Sequence, residues 1–465
     1  MQNIYDSEEF RAQGHQIIDA LADYLKSIED GTLTEVIPYV EPEDSYDFWK
    51  NDLAEGQTGL MDFVNETIKR SNHLHHPKYM GHQVSAPSPV AALMGVVTGL
   101  LNNGGAVYEM GLVNNPLERV LSKYLAEKLG FGDESDGFLT SGGTLANLTA
   151  LLAARAKYSS VWSEGTTEKL AIMVSEEAHY CVDRAARIMG LGESGIIKIP
   201  VNDRFKLKTE LLEEYYQDAT AKGFRVFAII GSACSTSTGS YDNLQEIGEF
   251  AQKNNLWFHI DGAHGGAVAF SSKYKSLLKG VALADSIIID WHKMLLAPAL
   301  ITAVVFKKGS DAYATFHQKA QYLWDNALSK DWFNSGKRTF ECTKLMMSVK
   351  VYGMIKAHGD LIFEEHVDYL YDLAKTFANL IKSLNDFELG HEPEANIVCF
   401  RMKTENSNEI NATIRRKLLE KGEFYIVSTT LNGDTYLRVS LMNQNTKVSD
   451  LESLLENIRE IKSEL

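Results

Sequence analysis

The sequence predicts an α/β protein with a mostly parallel sheet at its centre, and three patterns carry that expectation. Between about residues 85 and 310, short apolar runs alternate with stretches of helical period. After about residue 345 a long helical stretch leads to strands and further helices, as in a smaller α+β domain. Before residue 85 there is helical periodicity without a globular core. The expected division is a helical arm over 1–84, a large domain over 85–345 and a small domain over 346–465.

The elements follow in order. In the arm, Phe10, Ile17, Ile18, Leu21 and Leu25 recur at helical spacing, and after a loop at VIPYVEPED a second helix is expected around Leu60 to Ile68. The run VAALMGVVTGLL at 90–101 is too short to span a bilayer and predicts a buried helix. In the large domain DGFLT precedes LANLTALLAARAKY, KLAIMVSEEAH precedes VDRAARIMG, and RVFAIIGSAC precedes LQEIGEFAQKN; LWFHIDGAH comes next. Ala284 to Ile289 and Leu300 to Phe306 are two more buried strands around a short interruption. In the small domain ANIVCFRM, FYIVSTTL and TYLRVSLM are the strands.

Composition excludes several classes. A formal net charge of −16 would repel phosphates, so no nucleic-acid partner is expected. The four cysteines are scattered, with no CxxC pair, which fits a reduced, cytoplasmic compartment. The opening MQNIYDSEEF is acidic where a signal peptide would be basic and then apolar, so no membrane or secretory route is expected. The cluster HLHHP holds His73, His75 and His76, but no Cys or acid stands at ligand spacing, and no metal is expected.

In such a sheet ligands bind beyond the carboxyl ends of the strands, and the residues there are chemical ones. TSGGTLAN opens a helix after the first strand, which suits a phosphate but also an ordinary cap. His179 follows the second strand, as a cap or a flat ring. Ser235 to Thr238 follow the third, as ligands or a polar turn. Asp261 follows the fourth, as a cap or the partner of a cation. Lys293 falls between two dry strands, where an ammonium is costly unless it is paired, neutral or covalently used. A lysine, a carboxylate, a flat ring, hydroxyls and a phosphate-binding helix are together the parts that hold pyridoxal 5'-phosphate.

The segments HPKYMGH, TSGGTLAN, EEAHYCVDRAARIMGLG, STGSYDNLQEIGEFA, LWFHIDGAHGG and ADSIIIDWHKML, in this order, resemble the group II pyridoxal-phosphate decarboxylases, which act on aromatic amino acids, glutamate, histidine or 2,4-diaminobutyrate. The resemblance implies the aspartate aminotransferase-like fold and a homodimer with composite active sites. It implies that Lys293 condenses with the cofactor aldehyde, Asp261 pairs with the pyridine nitrogen, and His179 stacks on the ring with Ala263 on its other face. Gly143, Thr144 and Thr236 would contact the phosphate, and His292 is the histidine of the family's His-Lys pair. Tyr79, His82, Gln83 and Ser85 would line the entrance. Arg338 would either meet the substrate or brace the wall through a carboxylate.

The sequence departs from the family pattern twice. Asp290 and Trp291 precede the His-Lys pair where Asn-Pro is frequent, and since an aspartate facing a phosphate would repel it, Asp290 is expected to point elsewhere. After Tyr322 the stretch LWDNALSKDWFNSGKR lacks the tyrosine that protonates the substrate carbon in many members; Trp332 or Phe333 falls near that place, and neither donates a proton as a phenol does. The expected reaction is decarboxylation of an L-amino acid, diaminobutyrate-like or aromatic, with His82 or His292 as proton donor. An aldehyde-forming oxidative deaminase, a carbon–carbon lyase and a non-catalytic cofactor-binding dimer are the alternatives.

Overall fold

The computed structural model describes residues 4–56, 59–316 and 331–465. It contains two compact units: Met1–His82 with Asn379–Gly390 and Cys399–Leu465, and Gln83–Ala378 with His391–Val398.

The second unit is built on seven strands: β1 (Asp136–Thr140), β2 (Lys169–Ser175), β3 (Ile196–Ile199), β4 (Phe224–Ser232), β5 (Trp257–Asp261), β6 (Ser286–Asp290) and β7 (Thr302–Phe306). Their order is β1-β7-β6-β5-β4-β2-β3. Strands β3, β2, β4, β5 and β6 are parallel, and β7 runs antiparallel to both β6 and β1. A parallel strand covered on both faces needs apolar residues at nearly every position, and every residue of β5, β6 and β7 is buried.

Helix Gly143–Tyr158 carries Ala150, Leu151 and Ala154 into a buried cluster with Phe138, Ile172, Ile230, Ile288 and Val304. Each large apolar side chain so buried stabilises by roughly 1.5–3 kcal/mol. Since β1 runs in the same direction as β6, this helix starts at the edge where β2, β4, β5 and β6 end. The packing therefore fixes a helix N-terminus beside those strand ends.

The smaller sheet has the order β10-β11-β9-β8, with β8 (Phe387–Leu389), β9 (Ile397–Met402), β10 (Val427–Leu431) and β11 (Asp434–Ser440). The long helix expected after residue 345 is two, Met347–His358 and Leu361–Ser383, parted at Gly359, whose φ of 76° is left-handed. Strands β3 and β8 and the helix Pro42–Glu55 carry too few periodic positions to be legible in the sequence.

One expectation is corrected. The run at 90–101 does form a helix, Pro89–Leu101, but it is not buried: only Ala91 is, while Leu93, Val96, Val97, Leu100 and Leu101 are exposed. An apolar run reports a need for cover without saying whether its own chain supplies it. Among the described residues, no helix is long and apolar enough to cross a membrane.

Candidate active site

A cavity of about 290 Å³ opens at the carboxyl edge of the large sheet. Its lining comes from the segments after five strands: Ser141 to Thr144 and Asn147, His179 and Cys181, Cys234 and Thr236, Asp261, Ala263 and His264, and Asp290, His292 and Lys293, with Leu300.

The helix end on this cavity is open. Gly142 has φ 112°, which only glycine adopts without strain, and helix Gly143–Tyr158 has no side-chain cap. Its first N–H groups lack helical partners and suit an anion. A Cβ on Gly143 would lie 3.4 Å from Asp290 Oδ1 and 3.7 Å from Ala263 Cβ, so these three residues bound one narrow space. Of the hydroxyls after β4, Thr236 lines the cavity; Ser235 and Thr238 bond each other at 2.6 Å within their turn.

His179 caps a helix and faces the cavity. Its Nδ1 accepts from Cys181 N at 3.3 Å, capping helix Tyr180–Ile188, and its ring lines the cavity. Burial pushes the imidazole pKa down, against the opposing charge of Asp261. The neutral ring thus keeps its proton on Nε2.

Asp261 closes β5. Its Oδ1 accepts from Ala263 N at 3.2 Å and its Oδ2 from Asn147 Nδ2 at 3.0 Å. Lys293 Nζ stands 3.1 Å from Asp290 Oδ2. Burial pulls the Lys293 pKa down, but Asp290 and then Asp261 overcome it, and the net direction is up. Asp290 does not point elsewhere, as expected from phosphate repulsion: it lines the cavity, pairs with Lys293 and accepts from Thr302 Oγ1 at 2.5 Å. The nearby ammonium is what turns the carboxylate inward. His292 lies beside it, Nε2 3.6 Å from Asp290 Oδ2 and Nδ1 2.9 Å from Ile301 O. Burial raises the thiol of Cys234 to about 12 and that of Cys181 further, so neither is a nucleophile near neutral pH.

Other sequence candidates lie outside this lining. Arg338 is buried, with Nη1 3.0 Å from Asp136 Oδ2 and Nη2 donating to Trp332 O at 3.1 Å, which is the geometry of the bracing alternative. Trp332 lies under the Arg119 guanidinium at 4.5 Å, and Phe333 O accepts from Asn115 at 2.5 Å. Tyr322 and the stretch to 330 lie outside the described residues. Gln83 and Ser85 are buried, and Gln83 Nε2 and Ser85 Oγ have no hydrogen-bond partner among the described residues. Tyr79 and His82 belong to the other unit, their rings 5.1 and 5.7 Å from that of Tyr425. His76 Nδ1 accepts from Lys78 N, and among the described residues no three His, Cys, Asp or Glu stand together as metal ligands. Asn147 and Asp290 are the site residues that the sequence reading did not assign.

A lysine between carboxylates, a neutral imidazole and an open helix N-terminus, gathered at the carboxyl edge of this sheet, fit pyridoxal phosphate and define an enzyme of that cofactor class. The chain matches the pyridoxal-dependent decarboxylase conserved domain over residues 50–403 and belongs to that family. It is 26% identical over 479 residues to an aromatic-L-amino-acid decarboxylase of Bacillus atrophaeus, covering 99% of this chain and 96% of the relative. It is 28% identical over 475 residues to an aspartate 1-decarboxylase of Aliivibrio fischeri, covering 90% and 86%. The glutamate decarboxylase domain of diaminobutyrate-pyruvate transaminase and L-2,4-diaminobutyrate decarboxylase from Vibrio parahaemolyticus superposes with a TM-score of 0.87 at 26% identity, covering 100% of this chain and 98% of that one. The fold is thus the aspartate aminotransferase-like one, and the chain is a pyridoxal-phosphate-dependent amino acid decarboxylase, a carboxy-lyase.

Proposed function

We propose that Lys293 is the residue that joins pyridoxal phosphate, and that the substrate is a single L-amino acid from the set that its relatives' names span: aromatic, aspartate or diaminobutyrate-like. The observation that carries the assignment is the position of Lys293, 3.1 Å from Asp290 in the same cavity as Asp261 and His179. Pyridoxal phosphate, when bound, supplies an aldehyde for the lysine and a conjugated ring that accepts the electron pair left as carbon dioxide departs.

The chain's own residues do the rest. Lys293 must lose a proton to attack, and the charges of Asp290 and Asp261 decide how readily it does so. Asp261, held by two N–H donors, presents a fixed negative charge for the ring nitrogen. His179 and Ala263 give the two flat walls. The N–H groups at Gly143 and Thr144 and the Thr236 hydroxyl take the phosphate. Lys293 and His292 are cavity groups that could return a proton to the substrate carbon. Gln83 is assigned to the substrate side because its buried amide nitrogen, with no partner among the described residues, costs about 1–3 kcal/mol unless a ligand or water meets it.

The same reading includes a homodimer with shared active sites. It is supported by the exposed apolar face of helix Pro89–Leu101 and by a cleft of about 560 Å³ that this helix lines together with Ser141, which also lines the cofactor cavity. A reducing, cytoplasmic compartment is proposed on the free cysteines Cys181, Cys234, Cys342 and Cys399. Borohydride reduction of the cofactor-loaded protein and peptide mapping tests the central assignment. Label on Lys293 is expected, and label on another lysine would overturn it.

A further inference from the structure

Behind Asp261 runs a buried chain of polar groups that the reaction itself does not touch. Trp257 Nε1 donates to Ser286 Oγ at 2.8 Å, Ser286 Oγ lies 2.8 Å from His259 Nδ1, and His259 Nε2 lies 2.8 Å from Asn147 Oδ1. Asn147 Nδ2 then donates to Asp261 Oδ2 at 3.0 Å. Trp257, Ser286, His259 and Asn147 are all at most 1% exposed. Polar groups this dry are retained at a cost unless each is paired, and here each is.

The donor inventory fixes the direction of every bond. An indole nitrogen only donates, so Ser286 accepts from Trp257. An ionised carboxylate only accepts, so Asn147 must turn its amide nitrogen to Asp261 and its oxygen to His259. That oxygen cannot donate, so His259 Nε2 carries the proton. Burial lowers the His259 pKa to about 4, so its ring is neutral at ordinary pH and Nδ1 is bare. Nδ1 therefore accepts the one hydroxyl proton of Ser286. All four bonds point the same way, from Trp257 toward Asp261, and bonds so aligned polarise one another.

We infer that Asn147 and His259 are positioning residues whose aligned hydrogen bonds hold the Asp261 carboxylate in place and aimed at the cofactor's ring nitrogen. This rests on the pairing of Asp261 with that nitrogen proposed above.

The test uses the full-length protein and two cofactors: pyridoxal phosphate and its analogue with carbon in place of the ring nitrogen. Dissociation constants are measured by equilibrium dialysis for the wild type, Asp261→Asn, Asn147→Ala and the volume-filling His259→Phe, with circular dichroism and thermal melting to check the fold. Asn147→Ala is expected to weaken pyridoxal phosphate about tenfold or more, as for loss of a hydrogen bond to a charged group, and the analogue by much less. His259→Phe should show the same selectivity in smaller degree. If Asp261→Asn fails to distinguish the two cofactors, the reading of Asp261 falls. If it distinguishes them while folded Asn147→Ala and His259→Phe weaken both equally, the relay is merely structural and this inference is wrong.

Discussion

Replacing Asp290 by asparagine keeps the shape of the site and removes one charge, and the consequence can be worked from the geometry. At 3.1 Å and an effective dielectric of about 20, the Asp290 carboxylate attracts the Lys293 ammonium by roughly 5 kcal/mol, in favour of the charged form. Burial is the largest influence on Lys293 and pulls the other way, and with Asp290 gone only Asp261 and weaker partners oppose it. The pKa of Lys293 in protein stripped of cofactor is therefore expected to fall, raising the free-amine fraction at neutral pH. The assay is the rate of cofactor attachment, followed by visible absorbance from about pH 6 to pH 10 in wild type and Asp290→Asn. The midpoint should move to lower pH and the neutral-pH rate should rise. An unchanged midpoint would refute the claim that Asp290 governs the charge of Lys293.

Three further outcomes are expected. Asp261→Asn should leave the melting profile intact and lower turnover by about 10²–10³-fold, as when one preorganised electrostatic partner is lost; near-normal turnover would return Asp261 to an ordinary cap. His366 is buried, both ring nitrogens lack hydrogen-bond partners among the described residues, and its pKa is lowered to about 4. The unfolded chain takes up that proton first, so stability present above about pH 6.5 is lost as pH falls toward about 4, by roughly 3 kcal/mol, and denaturant titrations should find His366→Leu flatter across that window. His259 adds a loss of the same sign, whereas Asp242, raised to about 6, opposes both between about pH 6 and 3.8. Finally, Val96→Asp with Leu100→Asp puts charge on the exposed apolar helix face and should shift the light-scattering mass from dimer to monomer; an unchanged dimer would move the proposed interface elsewhere.

What the sequence revealed and what it hid have physical reasons. Asp261 and Lys293 were legible because each follows an apolar run where a charged group has no business unless it is used. His179 was legible as a cap, and its place in the cavity lining leaves the ring reading open to the proposed function. Asp290 turns inward against expectation because phosphate repulsion is not the only force on it: Lys293, three residues along, is a nearer opposite charge. Arg338 was left between two roles because sequence does not say which carboxylate a guanidinium will meet; the partner is Asp136, some 200 positions away. Asn147 stood in plain view at the end of TSGGTLAN, but its meaning depends on His259 and Asp261, which only the folded sheet brings beside it. The burial of helix Pro89–Leu101 was overstated because hydropathy does not say where its cover comes from.

The most direct measurement incubates the pure protein with pyridoxal phosphate and a panel of L-amino acids, aromatic, acidic and diaminobutyrate among them, following carbon dioxide, amine, aldehyde and peroxide under air and under nitrogen. One substrate should give carbon dioxide and amine in equal amounts, dependent on the cofactor and lost in Lys293→Ala, with at most a minor aldehyde product under air. Aldehyde and peroxide in place of amine would replace the decarboxylase reading with the oxidative one, and no carbon dioxide from any member of the panel would contradict the account.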